Sequence, residues 1–116
     1  MHKFQELKVW QKAMDMSVSI YRCTENLPNT EKFGLISQIR RSTISICSNI
    51  AEGAGRNTKG EFIQFLGIAN GSAYELQTQI ELAYRLTFLN KEIKDGLVAE
   101  IEEIEKMLYN LIKSLK

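Results

Sequence analysis

Hydrophobic residues return every three or four positions in four separate stretches of the chain, which is the period of a helix with one buried face. In the first stretch, from about Leu7 to Asn26, Val9, Ala13, Met16, Ile20 and Leu27 share one narrow arc. In the second, from about Glu31 to Glu52, the stripe is Ile36, Ile39, Thr43, Ile46, Cys47 and Ile50. The third runs from Thr58 to about Phe88 and carries Phe62, Leu66, Ala69, Ala73, Leu76, Ile80 and Ala83. The fourth starts near Asn90, and Leu97, Ile101, Ile104, Leu108, Leu111 and Leu115 alternate spacings of four and three, a heptad seam. No period-two alternation competes. The expected fold is all-α, an antiparallel up-down-up-down four-helix bundle forming a single domain over residues 1–116.

Turn residues punctuate these stretches. Pro28 and Asn29 break the first helix from the second, with Asn29 or Thr30 as the expected N-cap. Gly53-Ala-Gly55-Arg-Asn57 is the clearest break, and Gly53 suits a left-handed helix end. Thr58-x-x-Glu61 reads as a capping box opening the third helix, and Asn90 as the N-cap of the fourth.

Two helices carry more apolar or small surface than one core requires. Trp10, Met14, Val18 and Tyr21 form a second sector on the first helix. Ile63, Gly67, Gly71 and Tyr74 form one on the third, almost opposite its core stripe. Each glycine inside a helix costs about 1 kcal/mol relative to alanine, and close approach of another backbone is the usual compensation. Left in water, these sectors would form a large association surface. Two different faces meeting head to tail close into rings, so a homo-oligomer is expected. Alternatively, Trp10 closes one end of the bundle within the monomer.

Composition adds mainly exclusions. The chain is 44% hydrophobic with seven glycines and one proline, so disordered and collagen-like classes fall away. Cys23 and Cys47 are too few for a disulfide framework and read as free thiols in a reducing compartment. No stretch approaches the roughly 18 apolar residues of a membrane span, and the N-terminus lacks a signal-peptide pattern. A soluble, cytoplasmic protein without membrane contact is expected. His2 is the only histidine, which nearly closes triad chemistry and di-iron or zinc ligation. Gly53-x-Gly55 and Gly67-x-x-x-Gly71 follow no strand and precede no Gly-Lys-Ser/Thr, so they are not phosphate loops. The expectation is no enzyme, no metal and no cofactor.

The net charge is only +1, but it is uneven. Residues 31–60 gather Lys32, Arg40, Arg41, Arg56 and Lys59 against Glu31 and Glu52. Arg40, Arg41, Arg56 and Lys59 are therefore the candidates for nucleic-acid backbone contact, with Arg56 and Lys59 near the start of the third helix. A second reading stays open: Arg56 pairs with Glu52, and Arg40 and Arg41 meet acids of a neighbouring subunit.

Several pieces together resemble the bacterial four-helix bundle protein family. They are Leu7-Lys-Val-Trp10-Gln-Lys-Ala13, Phe33-Gly-Leu35, Gln38-Ile-Arg40-Arg41-Ser, Ser48-Asn49-Ile-Ala-Glu52-Gly53, Glu61-Phe62, Phe65-Leu66 and Gly71-Ser72. Members were first noticed as reading frames within intervening sequences of large-subunit ribosomal RNA genes. The resemblance covers about Leu7 to Leu86 and implies a four-helix bundle protomer. A related member, the accessory variability protein of diversity-generating retroelements, forms a pentamer and associates with nucleic acid and a reverse transcriptase. The resemblance thus implies a ring of five, RNA or DNA as a partner, and a reverse transcriptase in a retroelement context. Where many members have proline after Ser-Ile in the second helix, this chain has Cys47.

Overall fold

The computed structural model describes residues 2–116, and the described residues contain four α-helices and no strand. They are α1 (Lys8–Thr24), α2 (Leu35–Ala54), α3 (Lys59–Arg85) and α4 (Lys91–Leu115). Short 3-10 turns at Phe4–Glu6 and Asn29–Glu31 precede α1 and α2.

Side-chain pairings fix the topology. Ser17 meets Thr43 (2.8 Å) while Tyr21, one turn on, accepts from Arg40 (3.1 Å), so α1 and α2 are antiparallel. Ser45 bonds Ser72 (2.7 Å) and Gly53 lies against Phe65, which makes α2 and α3 antiparallel. Glu81 faces Lys94 (3.7 Å), and the Gln77 amide nitrogen donates to Glu105 Oε2 (2.6 Å), so α4 returns along α3. Lys12 bridges to Glu103 (2.6 Å) and closes α4 onto α1. The helices form a ring in chain order, up-down-up-down, with α1 and α3 on one diagonal and α2 and α4 on the other.

The core is built from the periodic stripes. Met16, Ile20, Ile39, Ile46, Leu66, Leu76, Ile101 and Leu108 are among the fully buried side chains. Leu111 and Leu115 continue the α4 seam but are only half-buried. The 25 residues of α4 outrun the 17 of α1 by roughly 12 Å at 1.5 Å per residue, so the last turns of α4 lack a full neighbour. Thr43 is buried in this core because its hydroxyl pairs with Ser17, which also contacts Cys47 Sγ at 3.3 Å. Burial raises the Cys47 thiol pKa, against the opposing bond from Ser17. This thiol is packed and protonated.

The helix boundaries depart from the sequence expectation in two places. α2 starts at Leu35, not Glu31, because Gly34 takes a non-helical backbone (φ −105°, ψ −107°). Asn29 and Thr30 belong to the 3-10 turn, and Glu31 instead reaches forward to accept from the Leu35 amide at 3.4 Å. Gly53 does not end α2 in a left-handed turn. It stays helical, and no described glycine has a positive φ. Its value is steric, since a Cβ there would sit 2.7 Å from Phe65 Cβ.

The expected caps of α3 and α4 are present. Thr58 Oγ1 accepts from the Glu61 amide (3.1 Å), and Asn90 Oδ1 accepts from the Ile93 amide (2.8 Å). Thr58 also donates its hydroxyl to Glu61 Oε1 (3.0 Å), so only half of a reciprocal capping box forms. α3 ends in a Schellman arrangement: Phe88 N–H donates to Ala83 O (2.9 Å), and Thr87 sits at φ 65°. A β-branched residue is strained in that region. Thr87→Gly is therefore expected to raise the unfolding free energy by about 1 kcal/mol, read from a urea midpoint. A midpoint at or below wild type would show that Thr87 carries no strain.

Candidate interaction surfaces

The four cationic candidates do not form one site. Arg40 and Arg41 lie in the first third of α2, whereas Arg56 and Lys59 follow its end. At 1.5 Å per residue, Arg41 and Arg56 are roughly 22 Å apart along the helix axis.

Arg40 is engaged within the chain. Its Nε donates to Thr24 Oγ1 (2.9 Å) and its Nη2 to the Tyr21 carbonyl (3.1 Å). The guanidinium also lies 4.4 Å from the Tyr21 ring centroid. Arg40 thus caps the C-terminus of α1, where a cation opposes the helix dipole. Arg41, one residue on, is exposed and makes no ion pair or side-chain hydrogen bond among the described residues.

At the other end of α2, Arg56 pairs with Glu52 (3.2 Å) and stacks 4.8 Å from the Phe65 centroid. The exposed pair contributes little stability but holds the guanidinium beside the start of α3. There His2, Arg56, Asn57, Thr58, Lys59 and Phe62 line a cleft of about 200 Å³. His2 is anchored by its own amide, which donates to Ala54 O (2.9 Å), and by ring contact with Phe62 at 5.0 Å. Arg56, Lys59 and a helix N-terminus therefore meet, as the sequence suggests.

The second apolar sectors divide. Met14 and Val18 on α1 and Tyr74 on α3 are exposed, Tyr74 at 56%. Gly67 and Gly71 are exposed too, and a Cβ at either would meet nothing within 4 Å. No helix of the same chain approaches them. Ile63 is half-buried. Trp10 is half-buried as well, packed edge-on against Phe4 at 5.1 Å, and Tyr21 lies beneath Arg40. Sequence periodicity passes over Ile44, 49% exposed on α2, three residues after Arg41. The available signal was a lone isoleucine among Arg41, Ser45 and Ser48.

A groove of about 550 Å³ separates α3 from α4, with Tyr74, Thr78, Gln77, Glu81, Glu102 and Glu105 in its walls. Arg85 and Lys94 hold the Glu81 pKa low. Glu105 is shifted the other way, first by burial and then by the neighbouring charge of Glu102. Among the described residues, no group of three or more His, Cys, Asp or Glu is placed to hold a metal ion. No described helix is long and apolar enough to cross a membrane.

Comparison with known proteins adds the family. No curated protein matches the chain. A crystal structure of a protein with unknown function from the S23 ribosomal protein family of Bacteroides thetaiotaomicron VPI-5482 is similar in fold and sequence. It shares 32% identity with a TM-score of 0.85, over 90% of this chain and 95% of that one. The family model described as 23S rRNA-intervening sequence protein matches residues 5–110, nearly the whole helical ring described above. The chain belongs to the 23S rRNA-intervening sequence protein family.

Proposed function

We propose that this protein works by assembly and not by catalysis, as a homo-oligomer whose copies meet through two different helical faces. The observation that supports this is exposed apolar side chains on separate faces, Met14 and Val18 on α1 and Tyr74 on α3, the latter beside two glycines open to a neighbour. Faces of different composition meet head to tail, and such contacts form a ring where the rotation between copies closes. A ring of five is the number the family resemblance implies. Sedimentation velocity at micromolar concentration tests the reading. The expected result is a species several times the 13.3 kDa protomer. A 13.3 kDa species throughout would overturn it.

A second reading, nucleic-acid backbone contact, is favoured by the cleft that brings Arg56 and Lys59 to the start of α3. A ring would repeat this modest cationic end once per copy and add its contacts. Binding to an RNA hairpin and to duplex DNA is expected to weaken steeply as salt rises. Arg56→Glu with Lys59→Glu is expected to weaken it about tenfold or more, equally across sequences. Unchanged affinity in that variant would remove this site.

A further inference from the structure

We propose that the α1–α2 face of one copy docks on the α3–α4 face of a second copy, with Arg41 placed against Glu102 and Glu105. This rests on the assembly reading and names the two faces that meet and the charges that set their register. Three observations lead to it.

The first is the division of charge between the two halves of the bundle. α1 and α2 carry five cations (Lys8, Lys12, Arg22, Arg40, Arg41) against Asp15 and Glu52, a balance of +3. α3 and α4 carry six cations against nine acids, a balance of −3. One half of the molecule is therefore the electrostatic complement of the other half of an identical molecule. A contact between like halves would set equal charges against each other, which selects head-to-tail over symmetric pairing.

The second is which charges remain free. In the basic half, Lys12 is bound to Glu103 and Arg40 caps α1. Arg41, like Lys8 and Arg22, has no partner among the described residues, and it lies one turn before exposed Ile44. In the acidic half, Glu81 already holds Arg85 (2.9 Å) and lies near Lys94. Glu102 and Glu105 have no cationic partner among the described residues. Glu105 takes only the Gln77 amide, and the proximity of the two carboxylates raises its pKa beyond what burial does. A planar guanidinium can donate hydrogen bonds to both carboxylates.

The third is that each charge lies beside exposed apolar surface. Val18 is 48% exposed on α1 and Ile44 is exposed on α2, on the two helices that Ser17 and Thr43 bring together. Tyr74 is in the groove wall with Glu102 and Glu105. Gly71 precedes it by one turn with open space where a Cβ would stand. Apolar contact supplies the affinity, and the charges supply orientation.

Two variants test the pairing by sedimentation velocity, alone and mixed. One is Arg41→Glu, and the other is Glu102→Lys with Glu105→Gln. Each alone places like charges at the contact and is expected to associate about tenfold more weakly or worse than wild type. Mixed in equal amounts, the two become complementary. The carboxylate introduced by Arg41→Glu in one copy meets the ammonium introduced by Glu102→Lys in the other, and the unmutated Arg41 of the second meets the unmutated Glu102 of the first. Association is therefore expected to return, fully in a ring of even number and in part in a ring of five, where strict alternation leaves one contact between like variants. Damage to the fold would not be repaired by mixing. Wild-type protein that stays monomeric overturns both this pairing and the assembly reading. Wild-type oligomers with both variants unchanged, or with dispersed variants that mixing does not restore, overturn the pairing alone.

Discussion

Leu108→Ala is expected to lower the unfolding free energy by about 2–5 kcal/mol, and Ile46→Ala by a similar amount. Both side chains are 0% exposed, Leu108 on α4 and Ile46 on α2, the diagonal pair of the ring. Each truncation removes apolar area from the centre and leaves a cavity that four connected helices cannot readily collapse. Tyr109→Ala is the control. Its side chain is 62% exposed on the same helix, and its loss should stay within about 0.5 kcal/mol. The measurement is the urea midpoint at constant slope. Leu108 and Tyr109 variants with equal midpoints would show that the assigned face of α4 is wrong.

Gly53→Val is the second large effect, with an expected loss of about 3 kcal/mol or more. The Cβ of any residue there would lie 2.7 Å from Phe65 Cβ, 3.1 Å from Phe62 Cδ1 and 3.3 Å from Phe62 O. Two of those atoms are fixed to the α3 backbone, so the clash moves the helix and not merely a rotamer. Gly53→Ala meets the same atoms, and its roughly 1 kcal/mol helix-propensity gain does not offset them. Gly96→Ala on α4 meets nothing within 4 Å and should gain up to that same amount. Opposite signs for the two alanine variants in thermal melts would support the steric account. A neutral or stabilising Gly53→Ala would sink it.

The buried stripes are legible in the sequence because packing into a ring forces a 3.6-residue period on polarity, and Val9 through Leu108 obey it. The caps at Thr58 and Asn90 are legible for a similar reason: short oxygen-bearing side chains satisfy orphan amides locally. Gly53 shows where local reasoning stops. A glycine before Ala-Gly reads as a helix end, yet its neighbours across the bundle, Phe62 and Phe65, require it inside the helix. Arg40 shows the same for charge. Nothing in its sequence neighbourhood tells that Tyr21 and Thr24 occupy its guanidinium, while Arg41 is left free. The α3–α4 groove is not legible either, because Gln77 and Glu105 are 28 positions apart and only the fold joins them.

Up-down-up-down topology also decides where a label can be attached. α1 begins and α4 finishes at the end of the bundle where α2 turns into α3, and the amide of His2 is tied to Ala54 there. An affinity tag or fluorophore joined ahead of His2 is therefore carried beside Arg56 and Lys59, and one joined after Leu115 leaves from the same end of the bundle. It would crowd a phosphate backbone approaching that end while leaving the lateral faces of the helices clear. A cysteine-linked dye at Asn26, exposed in the turn after α1 at the opposite end, reverses that choice. Tagged and end-labelled protein can thus report assembly faithfully and nucleic-acid contact poorly, for a reason set by the direction of four helices.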